Sequence, residues 1–130
     1  SRWLNKPSIV PPNYKQMIMK TVWSNKIDKI LKIGQPLDSI GVHNWALTRE
    51  QALNVLSQFL VSEISVLGGD VYESIDGIIQ SNYDSWYCEL LPGESNGDFL
   101  KRSIEDAKLY IEGYKIKVPN MIFFGFVPNV

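Results

Sequence analysis

The sequence predicts an α+β domain, with helices packed on a small, mostly antiparallel sheet. Two helical signals and two strand signals carry that prediction. Thr48-x-x-Gln51 has the spacing of a capping box and opens an apolar 3–4 pattern. Leu100, Ile104, Ala107, Ile111 and Tyr114 recur at intervals of 4, 3, 4 and 3, a single stripe along a long helix. Tyr83–Leu90 alternates at period two, and Met121–Val127 is rich in aromatic residues. The resulting order, helix, helix, strand, strand, helix, strand, is that of an α+β domain. With 130 residues, 45% of them apolar, one domain can bury about two-thirds of the unfolded chain's surface.

Residues 1–13 contain Pro7, Pro11 and Pro12 and read as an extended arm, with 14–130 forming the domain. Helical character begins near Tyr14. Ser24 suits the N-cap of a short helix that turns Ile27, Ile30 and Leu31 to one side and Lys26, Lys29 and Lys32 outward. Gly34 and Pro36 stop it. The helix capped by Thr48 continues through Ala52, Leu53, Leu56, Phe59 and Leu60 to about Ser62. Ile64–Tyr72 reads as a strand interrupted at Gly68-Gly69, a pair that implies a bulge or a close backbone approach. Gly77 permits a turn before Ile78-Ile79. Along Tyr83–Leu90, Asp84, Trp86, Cys88 and Leu90 share one face, and Tyr83, Ser85, Tyr87 and Glu89 the other. Pro92-Gly93 ends that strand, and the long helix starts around Ser95–Asp98 with acid at its positive end.

Charge is segregated along the chain. Between Arg49 and Lys101 there is no Lys or Arg, yet there are nine acids: Glu50, Glu63, Asp70, Glu73, Asp76, Asp84, Glu89, Glu94 and Asp98. Residues 1–32 carry Arg2 and six lysines against only Asp28. Acids without local bases are solvated, reach distant lysines, or await a basic partner. Such a field repels nucleic acid, so the small basic set Arg2, Lys6, Lys26, Lys29 and Lys32, with Trp3 and Trp23 for stacking, reads as a solvated face. No apolar run reaches the roughly 20 residues of a membrane helix, and no signal pattern opens the chain, so a soluble cytoplasmic protein is expected.

Residue types that carry chemistry are sparse. His43 is the only histidine, and no nucleophile elbow or triad context accompanies it; it reads as a loop or partly buried residue donating to a backbone carbonyl. Cys88, the only cysteine, reads as a small buried hydrophobe in a reducing compartment. One His and one Cys cannot build a Cys/His zinc site, and Asp70, Asp76 and Asp84 lack calcium-loop spacing. Gly68-Gly69-Asp70 lacks the Lys and Ser/Thr of a phosphate loop. Asp84 with Glu89 or Glu94 could serve as a hydrolytic carboxylate pair, but nothing fixes their separation. No catalytic residue, metal or cofactor is therefore assigned. Acids interleaved with Trp45, Tyr72, Tyr83, Trp86 and Tyr87 suit a protein interface instead, with aromatic anchors supplying affinity and charges supplying rate.

Several segments together resemble immunity protein family 40. They are Asn44-Trp45-Ala46-Leu47-Thr48, Leu67-Gly68-Gly69-Asp70-Val71-Tyr72, Tyr83-Asp84-Ser85-Trp86-Tyr87-Cys88 and Pro92-Gly93-Glu94-Ser95, followed by the helix bearing Ser103, Ala107, Tyr110 and Ile111. The resemblance spans about Asp28 to Phe126. It implies a non-enzymatic antidote of bacterial polymorphic toxin systems, including contact-dependent growth inhibition, that binds its toxin in the cytoplasm. It assigns no binding residues. The charge pattern does: Asp70, Glu73, Asp76, Asp84, Glu89 and Glu94 as acceptors for Lys and Arg of a toxin domain with a basic surface, and Tyr72, Tyr83 and Tyr87 as anchors. A nuclease, whose cleft must be cationic, is the expected toxin. A non-toxin adaptor or regulator and a small acid-dependent hydrolase are the alternatives.

Overall fold

The structure, a computed structural model, describes residues 21–118 and 121–130. The arm 1–13, Arg2, Trp3, Lys6 and the helical segment expected from Tyr14 lie outside the described residues, apart from Thr21 onward. The elements are α1 (Asn25–Leu31), β1 (Gln35–Pro36), β2 (Trp45–Ala46), α2 (Arg49–Val61), β3 (Val66–Ile75), β4 (Ile78–Tyr87), α3 (Asn96–Gly113) and β5 (Ile122–Pro128). A 3-10 turn, Asp38–Ile40, joins β1 to β2. The result is one α+β domain with two small antiparallel sheets, β1-β2 and β4-β3-β5.

The helix starts follow from their caps. Ser24 Oγ accepts the Ile27 N–H at 3.1 Å. The capping box at α2 is complete: Thr48 Oγ1 accepts from Gln51 N, and Gln51 Oε1 accepts from Thr48 N. Ser95 Oγ accepts from Asp98 N at the start of α3. Free donors at each helix start are thereby satisfied.

β3 and β4 form a hairpin across Asp76-Gly77, whose φ values of 52° and 78° are those of a type I′ turn. β4 consequently starts at Ile78, five residues before the strand expected from Tyr83, and ends at Tyr87, so Cys88–Leu90 lie beyond it. The polar run Gln80-Ser81-Asn82 hides the alternation that would have extended it. β3 is likewise longer than expected and runs through Gly68-Gly69 without a break. Register shifts flank the glycines, between Val66 and Gly68 against β5 and between Asp70 and Tyr72 against β4. A Cβ on Gly69 would sit 2.5 Å from the Gly125 carbonyl and within the Trp86 ring. Close approach of backbone and indole is why glycine stands there.

The helices cover one face of β4-β3-β5. Val66, Val71, Phe124 and Phe126 meet Val55, Leu56 and Phe59 of α2 and Ile104, Ala107 and Ile111 of α3, with Ile27 and Leu31 of α1 completing the core. The stripe read along α3 is the buried one, joined by Phe99 and Ser103. Ser103 Oγ accepts the Val66 N–H at 3.0 Å in the interior, supplying a partner where the register shift disturbs the ladder. A second cluster, Leu37, Ala46, Tyr72 and Ile79, packs separately with Ile40, Val42 and Phe123. It is built from the β1–β2 lobe and the sheet side away from Val71 and Phe124.

The two outer edges of this sheet differ. Beyond β5, Leu47 and Phe124 exchange both backbone hydrogen bonds at 2.8 and 2.7 Å, and Asn44 Nδ2 donates to the Phe126 carbonyl at 2.9 Å. Beyond β4 there is no further strand among the described residues.

Candidate protein-binding surface

The two arginines that bracket the base-free stretch are both committed to structure. Arg49 donates to the carbonyls of Ile111 (3.0 Å) and Tyr114, at the carboxyl end of α3, where cations offset the helix dipole. Arg102 clamps the loop after β4. Its Nε and Nη2 each lie 2.8 Å from an oxygen of Glu94, Nη2 also donates to the Glu89 carbonyl at 2.5 Å, and Nη1 donates to Cys88 Sγ at 3.1 Å. The Arg102 hydrogen bonds, with the Leu91 N–H, hold the Glu94 carboxyl at a pKa of about 2. Burial, and a hydrogen bond toward Asp106, push the Cys88 thiol up. Cys88 is buried as expected, though its sulfur has polar partners that the sequence reading did not supply.

Two of the nine residues assigned from sequence are thereby corrected. Glu94 is already paired internally. Tyr72 is only 4% exposed, in the second core cluster against Leu37 and Ala46; its ring lies over Gly125 and cannot anchor a partner. The other seven occupy two places. Glu73, in register with Gln80 and Ile122, and Asp76, in the turn, mark the hairpin end. Tyr83, Asp84, Tyr87 and Glu89 line the far half of β4 and its exit, and Asp70 stands on β3 opposite Ser85. The structure therefore does not gather all the acids on one face; it groups five of the assigned residues about β4.

Within that group the environments differ. Tyr83 and Tyr87 are 91% and 80% exposed. Asp84 accepts a 2.5 Å hydrogen bond from the Tyr114 hydroxyl, which itself accepts from Asn82 Nδ2 at 2.7 Å. Burial, and then that bond, push Tyr114 up to about 12. Asp70 is half-buried with no hydrogen bond or ion pair to its carboxylate among the described residues, and burial raises its pKa. The same burial, with the Asp70 charge, raises Tyr72. Beneath the strand, Trp86 stacks on Tyr110 with ring centroids 4.6 Å apart. Sequence reading missed Arg102, Tyr110, Tyr114 and Asn82 as supports. Tyr114 was visible only as the last member of the α3 stripe.

The ion pairs among the described residues are His43–Asp38, Arg102–Glu94 and Arg102–Asp106. Lys26, Lys29 and Lys32 are exposed and neutralise none of the β4 acids. His43 is an exposed loop residue, 3.8 Å from Asp38. It borders a cleft of about 920 Å³ between α1 and β2, lined by Asp28, Lys29 and Trp45 among others. Among the described residues no three metal-binding side chains cluster, and no helix is long and apolar enough to cross a membrane.

A family model described as Immunity protein 40 matches residues 36–128. The chain belongs to the immunity protein 40 family. The matched span runs from β1 to the end of β5 and so includes both sheets, α2, α3 and the whole β4 surface. Among curated proteins and among solved structures, nothing matches.

Proposed function

We propose that this immunity protein 40 chain is a non-enzymatic inhibitor that binds a cognate bacterial toxin domain stoichiometrically in the cytoplasm, within a polymorphic toxin or contact-dependent growth inhibition system. The family match carries the immunity role. The β4 surface supports the mode of binding: exposed Tyr83 and Tyr87 stand among carboxylates that no described cation neutralises. Asp70 is the informative member. Its carboxylate is half-buried with no partner among the described residues, a position that an incoming Lys or Arg would favour. A toxin with a cationic cleft, as a nuclease requires, matches this field, and an acidic cover would exclude phosphate by charge and by bulk.

The test is co-expression with the toxin domain encoded by the adjoining gene, followed by isolation of a 1:1 complex and binding kinetics across a salt series. Association should slow as salt rises, with a smaller change in dissociation. The triple variant Asp70→Lys, Asp84→Lys, Glu89→Lys should fold, associate at least tenfold more slowly, and fail to protect cells. Unchanged association and protection in that variant would remove the acidic surface from the interface.

A further inference from the structure

β4 offers a partner its backbone as well as its side chains. The Cys88 N–H donates to the Leu67 carbonyl at 2.8 Å. In an antiparallel ladder, hydrogen-bonded and non-hydrogen-bonded pairs alternate, so the N–H and C=O of Ser85 and Tyr87 point away from β3. Edge strands of this length are ordinarily blunted by Lys, Pro or a bulge. β4 contains no Lys, Arg or Pro. Its one interruption is at Tyr83, where φ is 68°. Ser81 Oγ takes the Tyr83 N–H and Asn82 Oδ1 takes the Asp84 N–H, so the donors at the kink are satisfied locally. The straight stretch that follows, Ser85–Tyr87, is flanked by the two most exposed tyrosines and rimmed by Asp84 and Glu89, with Asp70 across from Ser85.

We propose that the Ser85–Tyr87 edge takes an extended, Lys- or Arg-bearing segment of the toxin domain as a fourth strand of the sheet. The ladder would supply affinity and fix the approach, and the alternating side chains of the added strand would place cations over Asp70 on one face and Asp84 on the other. A second copy of this chain is the poorer occupant, because edge pairing would set like charges against each other. The proposal rests on the immunity reading and adds the geometry of engagement.

Hydrogen exchange on the full chain, free and bound to the toxin domain encoded by the adjoining gene, tests it. The Ser85 and Tyr87 amides should exchange quickly in the free protein and slow by roughly tenfold or more in the complex. Tyr87→Pro removes one outward donor at a position where an edge strand tolerates proline. It should keep its circular dichroism spectrum and bind about tenfold more weakly than Tyr87→Ala, which loses the ring but keeps the outward N–H. A complex that forms while both amides exchange at the free rate overturns the added strand and leaves the immunity reading intact. So does a folded Tyr87→Pro that binds as tightly as Tyr87→Ala. If the proline variant does not fold, the exchange measurement on the wild-type chain decides. Absence of any complex overturns the immunity reading and the added strand with it. Concentration-dependent protection of these amides in the free protein assigns the edge to self-association and overturns the proposal.

Discussion

Beyond β5, the segment Asn44–Leu47 returns across the sheet and takes up backbone groups of Phe124 and Phe126; beyond β4, no described segment does so. The closed side is buried, with Leu47 and Phe124 completely so and the Asn44 amide bonded to the Phe126 carbonyl. The open side bears Tyr83, Tyr87, and Asp84 and Glu89, which no described cation neutralises. The same three strands thus present one edge that the chain completes with Asn44–Leu47 and one that no described segment completes. The contrast is what distinguishes the proposed binding surface from a merely solvated acidic face. Solvated carboxylates need no unpaired backbone beside them, whereas here the two coincide on one strand.

The largest effect should come from damaging the closed edge. Leu47→Ala empties a fully buried site between α2 and β5 and should cost about 2–5 kcal/mol in urea unfolding. An intermediate effect should come from acid, at the loop where the open edge ends. The folded pKa of Glu94, about 2, lies below its ordinary 4.5. A depressed carboxyl pKa stabilises the fold above the unfolded value, and that stability is lost as pH falls from about 4.5 toward 2. Thermal melts across that window should therefore decline in the wild type and decline less in Glu94→Gln. The smallest effect on stability should come from the open edge itself. Tyr83→Ala with Tyr87→Ala should leave unfolding within about 0.5 kcal/mol of wild type while weakening the toxin complex. A double variant as destabilised as Leu47→Ala would mean that both edges are structural.

Local patterns were legible from sequence. Caps at Ser24 and Thr48, the start of α3 near Ser95, the α3 stripe and the burial of Cys88 each depend on neighbours within a few residues, and each is where the sequence places it. What escaped depends on distant parts of the chain. Tyr72 is covered by Leu37, which follows β1, and Ala46 of β2, and both strands are only two residues long, too short to show a period. Glu94 is neutralised by Arg102, which lies just past the base-free stretch and turns back onto the loop one helical face earlier. The hairpin end was half visible: Gly77 permitted a turn, but Asp76 also adopts positive φ, and only both together give the I′ geometry that starts β4 at Ile78. Asp70 stood out in the sequence only as one acid among nine; its half-burial is a property of the sheet and not of its sequence neighbours.

The central strand meets its two neighbours on very different schedules. A two-residue turn lets β3 find β4 within microseconds, but β5 must return from beyond the whole of α3. Until Phe124 and Phe126 arrive, β3 lacks its second neighbour and Trp86 lacks its edge contact with Phe126, so the hairpin is held on one side only. Arrival of the last strand therefore governs how soon a freshly synthesised copy acquires a rigid β4.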